Sequence, residues 1–152
     1  MRTTQTKNAR TATVEVIKTA DAAIENLPAG PYGALVITQE TKLDKKLYSK
    51  LATRLAESSC AWATLHAGDS TENLHDIFDA AIVEWQLKNN PDAEMNTSGD
   101  NEDNLEEAMR DAVYYGHPSY GQPYPSLLIV IIGEEIDGLD AKAESMAGSV
   151  EE

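Results

Sequence analysis

Residues 127–132 read LLIVII, six apolar side chains in a row, and this run constrains the fold more than any other stretch of the chain. A strand with one wet face alternates apolar with polar residues, whereas a strand apolar at every position has to be covered on both faces. The run is far short of the roughly 18 to 20 apolar residues a membrane span needs, so the reading is a buried strand, not a transmembrane helix. Residues 34–38, ALVIT, repeat the pattern in shorter form. Two such strands call for a sheet between two helical layers, and the spacing supplies the helices.

Leu43, Leu47, Leu51 and Leu55, with Tyr48 and Ala52 beside them, form one apolar stripe, with Lys45, Lys46, Lys50 and Arg54 off it. Thr41 is the expected N-cap, with Asp44 three residues on in a variant of the capping box. Leu74, Ile77, Phe78, Ala81, Ile82 and Trp85 match helical spacing to about Lys88, where Asn89, Asn90 and Pro91 stop it; Ser70 or Thr71 is the expected cap. Leu105, Ala108, Met109, Ala112 and Val113 give a third stripe, with Asp103 as its cap and Gly116 at a left-handed C-terminal position. Between these helices, CAWATLH at 60–66 reads as a strand, and AEMNTS at 93–98 is assigned as one because a strand is needed between two helices. Residues 13–18 alternate well enough for a strand, and residues 20–27 have room for a turn or two of helix before Pro28.

Strand and helix thus alternate three times and end on a strand. Each parallel pair needs a crossover, so the expected fold is α/β, a three-layer sandwich with a mostly parallel sheet of about four to five strands and helices on both faces. With 152 residues there is room for about one domain. The boundaries read as a flexible arm over 1–12, the domain over 13–136, and an acidic tail over 137–152, disordered or a frayed helix at most.

The charge is unusual. The formal net charge is −14, and residues 1–54 hold nine cations against five anions while the remainder holds three against 21. That field opposes a nucleic-acid backbone and an anionic lipid surface alike, so direct nucleic-acid binding and membrane binding are not expected. Acidic surfaces serve solubility, and they also steer a basic partner into place. The N-terminus has two early cations with no apolar stretch behind them, unlike a secretory signal. A single cysteine, Cys60, leaves no internal disulfide, which fits a reducing, cytoplasmic setting.

In open α/β sheets ligands bind beyond the carboxyl ends of the strands. The candidate ligand-binding residues there are His66, Asp69, Ser70, Asn96, Ser98 and Asp100, flanked by Thr38, Gln39 and Glu40 after the earlier strand. Those loops carry many carboxylates and neither a GxGxxG nor a GxxxxGK[ST] sequence, so a phosphate would meet repulsion; a metal ion, a cationic group or a neutral polar molecule suits them better. No cofactor, catalytic group or metal set is assigned: His75, Asp76 and Asp79 read as a solvated helix face, and Cys60 as a buried thiol at the far end of its strand from His66. The segment YYGHPSYGQPYP, residues 114–125, lies at the opposite pole. Its Tyr114, Tyr115, His117, Tyr120 and Tyr124 are the candidate partner-binding residues, since rigid amphipathic rings suit protein interfaces.

Residues 33–133 carry SSCAWATLHAGD at 58–69, EMNTSGDNEDNLEEAM at 94–109, then GHPS and LLIVI. In these pieces the chain resembles a family of small uncharacterised bacterial α/β proteins with a Ser-Gly-Cys turn into a strand, an aspartate-bearing loop, a Met-Thr-Thr-Trp-His strand end and a Leu-Glu-Glu helix. The family's glycine is Ser59 here, and its Trp-His pair is replaced by Ser98 and Gly99. The likeness implies an α/β fold and a shared strand-end surface, and implies no reaction.

The functional expectation is an intracellular binding or regulatory domain that meets a protein partner, or a second copy of itself, through its acidic surface and the Tyr/Pro-rich loop. Two alternatives stand beside it. One is a small-ligand or metal-dependent enzyme at the carboxyl ends of the strands; the other is an acidic inhibitor of a nucleic-acid-binding protein.

Overall fold

The computed structural model describes residues 1–99, 104–117, 122–134 and 138–152. In chain order its elements are β1 (Arg2–Gln5), β2 (Thr11–Ile17), β3 (Tyr32–Thr38), α1 (Lys45–Glu57), β4 (Cys60–His66), a 3₁₀ turn (Gly68–Ser70), α2 (Thr71–Asn89), β5 (Asn96–Ser98), α3 (Leu105–Arg110) running into a π turn (Asp111–Tyr115), β6 (Ser126–Ile132) and α4 (Leu139–Ser149). The six strands form one sheet in the order β1-β2-β6-β3-β4-β5, parallel throughout except for β1, which pairs antiparallel with β2. The fold is α/β with a mostly parallel sheet, and it has one or two strands more than the sequence suggested.

β6 lies between β2 and β3, and Leu127 to Ile132 are all buried. Alternate residues feed two separate cores. Leu128, Val130 and Ile132 face α1 and α2 with Val36, Leu65 and Phe78; Leu127, Ile129 and Ile131 face α3 and α4 with Val14, Met109 and Val113. Alternation within an unbroken apolar run is what a strand sandwiched between two helical layers requires.

Both ends of the chain depart from expectation. Residues 2–5 are not an arm but the edge strand β1, paired from Arg2↔Val14 to Gln5↔Thr11. Nor is the acidic C-terminal stretch a tail. α4 buries Ala143 and Ala147 in the second core, joined by Val150 just past its end, and the small alanines let the helix lie close to the sheet. Arg2 ties the two together, donating to Asp140 at 3.0 Å and Glu144 at 3.5 Å. The sequence hid α4 because its buried side is alanine, which carries little of the hydrophobic signal that marks a stripe.

Smaller corrections have local causes. Residues 20–27 are not helical; they form a strap across the first core, with Ala20 and Ile24 buried and Arg54 donating to the carbonyls of Asp21 and Ala22. Asp44, not Thr41, caps α1 by accepting from the Leu47 amide. Asn104 caps α3 in the same way through the Glu107 amide, and Asp103 lies outside the described residues. Gly116 has φ −77°, so handedness is not why it is glycine; an added Cβ would come 3.1 Å from the Ala112 carbonyl and 3.3 Å from Thr64 and Trp62. Ser59, by contrast, has φ +72° immediately before β4. A left-handed L-residue costs about 1–2 kcal/mol, partly offset on replacement by the entropy of a glycine in the unfolded chain. Ser59→Gly is therefore expected to stabilise the protein by about 1 kcal/mol, raising Tm by about 3 °C in calorimetry.

Candidate functional site

The direction of the crossovers reverses between β3 and β6. β3 leads through α1 to β4 on one side of it, whereas β6 leads to α4, which packs over β1 and β2 on the other. The loops that leave a sheet at such a point diverge and open a crevice. A crevice of about 550 Å³ opens beside this point, at the carboxyl ends of β3 and β4. It draws on four separate segments: Thr38, Gln39, Glu40 and Thr41 at the end of β3 and beyond; His66, Asp69 and Ser70 at the end of β4 and beyond; Leu105 at the start of α3; and Leu139 and Lys142 on α4.

Its best-organised group is Glu40. The Tyr48 hydroxyl donates to Glu40 Oε1 at 2.5 Å, so the 2.7 Å contact between Thr38 and Tyr48 has the threonine as donor. The Glu40 amide donates in turn to Thr38 Oγ1 at 3.1 Å. Three hydrogen bonds thus close a ring that holds one carboxylate oxygen and aims the side chain over the strand ends. Burial, and next the bond to Glu40, push the Tyr48 phenol well above its ordinary value, so it remains a protonated donor at any physiological pH. Gly133 at the end of β6, with φ +125°, brings its backbone close to the same side chain; an added Cβ would stand 4.0 Å from Glu40 Cγ. Across the mouth, Ser70 Oγ donates to the Thr41 carbonyl at 3.3 Å and fastens the second loop to the first.

The six sequence candidates divide. His66, Asp69 and Ser70 line the crevice, with His66 half-buried and Asp69 exposed. Asn96 and Ser98 do not join them. Asn96 is exposed on the edge strand beside Trp62, and the Ser98 hydroxyl accepts from Trp62 Nε1 at 2.9 Å, 3.3 Å from Thr64 Oγ1, on the sheet itself. Asp100 lies outside the described residues. Two contributors escaped the sequence. Lys142 sits on the helix mistaken for a tail, and the Tyr48 anchor had the appearance of ordinary helix core.

Elsewhere the chemistry is structural. Cys60 is fully buried, and burial pushes its thiol up to about 12, so it is no nucleophile at neutral pH. His75 and Asp79 are not simply solvated. Thr97 donates to Asp79 at 2.6 Å, so its hydroxyl accepts from His75 Nε2, also 2.6 Å away, and the trio pins β5 to α2. No group of three or more His, Cys, Asp or Glu among the described residues could hold a metal ion.

At the opposite pole the Tyr/Pro-rich segment is partly engaged within the fold. Tyr114 donates to the Val150 carbonyl at 2.8 Å, and His117 Nε2 donates to the Tyr114 carbonyl at 2.7 Å. Tyr115 is 53% exposed, Tyr124 is half-buried, and Tyr120 lies outside the described residues. Among the described residues no helix is long and apolar enough to cross a membrane.

Comparison of the chain with family models, with curated proteins and with solved structures gives no match.

Proposed function

We propose that the protein is a small-molecule binding domain whose site is the crevice at the β3 and β4 ends, and that it takes a ligand bearing an amine or several hydroxyls. The observation that carries this reading is the ring of Thr38, Tyr48 and Glu40, which holds a carboxylate in one orientation before any ligand arrives. Preorganised polar groups at the mouth of a sheet, with apolar walls from Leu105 and Leu139, are the usual composition of a ligand site. Glu40 and Asp69 accept from an ammonium or hydroxyl, and Lys142 donates to an oxygen on the ligand's other end. Two carboxylates against one lysine disfavour a phosphate, which has three acceptor oxygens and a like charge. The reading replaces the partner-docking one as the leading proposal because Tyr114 and His117, two of the rings on which docking relied, donate their hydrogen bonds inside the protein.

The test is a panel of diamines, amino acids and polyols followed by amide chemical shifts on the labelled protein. Shifts are expected to gather on residues 38–41, 66–70 and 139–142. Glu40→Gln should weaken binding by about tenfold, the loss of one charge-assisted hydrogen bond of about 1.4 kcal/mol or more. Tyr48→Phe should weaken it less, because the carboxylate survives without its anchor. Shifts that gather elsewhere, or a Glu40→Gln protein that binds as well as the parent, would remove this site.

A further inference from the structure

The outer face of α1 and α2 carries a feature at odds with the rest of the molecule. A groove of about 670 Å³ runs between the two helices. It is lined by five of the chain's twelve cations, Lys45, Lys46, Lys50, Arg54 and Lys88, in a protein of net charge −14. Arg54 is held by the strap carbonyls and Lys88 by Glu84 at 2.7 Å. Lys45, Lys46 and Lys50 are exposed, and among the described residues no ion pair joins them to a carboxylate. The lining also holds Glu57 and Glu84, the latter paired with Lys88, so its cations outnumber its carboxylates five to two.

Apolar surface borders the same groove. Trp85, half-buried, lies in its lining. Ala80, exposed, and Ala81, buried, continue the apolar part of the lining beside it, while Val83, 52% exposed, and Leu87, 73% exposed, lie on α2 outside the lining. Val83 and Leu87 are two of only five large apolar side chains exposed among the described residues.

We propose that the groove between α1 and α2 docks an acidic amphipathic segment of a partner protein, its carboxylates on Lys45, Lys46 and Lys50 and its apolar side chains on Trp85 and Ala80. The charge complementarity selects the occupant's sign, and the apolar part of the lining selects a polypeptide with apolar side chains on one face over a purely ionic polymer. α1 is 13 residues, about 20 Å long, which matches an occupant helix of about 14 residues. A nucleic-acid strand would meet the same lysines but also the long-range field of the whole anion, which repels it. This surface is separate from the crevice, and neither proposal depends on the other.

The probe is a fluorescein-labelled peptide of about 16 residues with glutamate at its polar positions and leucine at helical spacing, measured by polarisation at about 50 and about 300 mM salt. Binding is expected at the lower salt and at least about tenfold weaker at the higher. The triple variant Lys45→Glu, Lys46→Glu and Lys50→Glu should abolish it, and Ala80→Glu, at an exposed lining position on α2, should weaken it by about fivefold. Controls are the same peptide with lysine for glutamate, a dT oligonucleotide of matched length, and sedimentation of the protein alone. Peptide binding that survives the triple variant overturns the proposal, as does no binding at all. Preferential binding of the oligonucleotide, or salt-sensitive self-association lost in the triple variant, would overturn it in favour of a nucleic acid or a second copy.

Discussion

Replacing Arg10 with methionine is expected to cost about 3–4 kcal/mol of folding stability, seen as a fall in the urea midpoint with an unchanged slope. Arg10 is only 1% exposed and has no ion pair to a carboxylate among the described residues. Backbone carbonyls surround its guanidinium instead: Nε donates to Tyr124 at 2.7 Å, and Nη1 to Ala112 at 2.7 Å and Val113 at 2.9 Å. These oxygens end the π turn and lead into β6, where a cation also suits the negative end of a helix. Burial lowers the guanidinium to about 10, still well above neutral pH, so the group stays charged. Methionine fills the volume and supplies no donor. Val113 keeps a bond from Asn8 Nδ2, so the carbonyls of Ala112 and Tyr124, and that of Ser126 reached by Nη2 at 3.5 Å, lose their side-chain donor, at about 1–3 kcal/mol for each one left buried and unpaired. Lysine would not rescue the site, because one ammonium cannot span a fork of three acceptors. Gly33 belongs to the same arrangement: an added Cβ would stand 2.7 Å from Nη2, so Gly33→Ala should lose stability in the parent and cost less beside Arg10→Met.

Ending the chain after residue 137 is the second large effect. A disordered tail could be removed with stability unchanged. α4 instead covers Val14, Leu127 and Ile129 on the second face of the sheet, and Val150 just beyond it receives the Tyr114 hydroxyl. Removing it should cost at least about 3 kcal/mol, the loss of several buried side chains at about 0.8 kcal/mol per methylene, and should expose enough apolar sheet to bind a hydrophobic dye. A truncated protein that melts with the parent would show that α4 adds nothing to the core. Because Lys142 leaves with α4, the truncation should also weaken any ligand held in the crevice.

These two effects mark where sequence reading stopped. Arg10 looked like one cation in a polar arm, because nothing within ten residues of it foretells carbonyls more than a hundred positions away. α4 presented alanines where a hydrophobic stripe was sought. The central alternation was easier. Each of β3, β4 and β6 is apolar enough to be recognised alone, and the leucine stripe of α1 and the longer stripe of α2 follow helical spacing closely. For the site, His66, Asp69 and Ser70 were legible because one short loop carries them from a strand to a helix. Ser98 was not correctly placed: β5 is only three residues long and pairs beside Trp62 to Thr64, so its hydroxyl turns to the sheet, not to the crevice.

By itself, then, the amino-acid order determined which central stretches are strands buried on both faces, that α1, α2 and α3 cover them, and that those strands run parallel, since local periodicity and the length of each connection are short-range properties. The tertiary structure alone decided that β6 inserts between β2 and β3, that the chain ends close the sheet, and that Glu40 is anchored by Tyr48 with Lys142 across the opening. Strand order depends on which faces can be covered at once. That is a property of the whole packed chain, so no local window contains it.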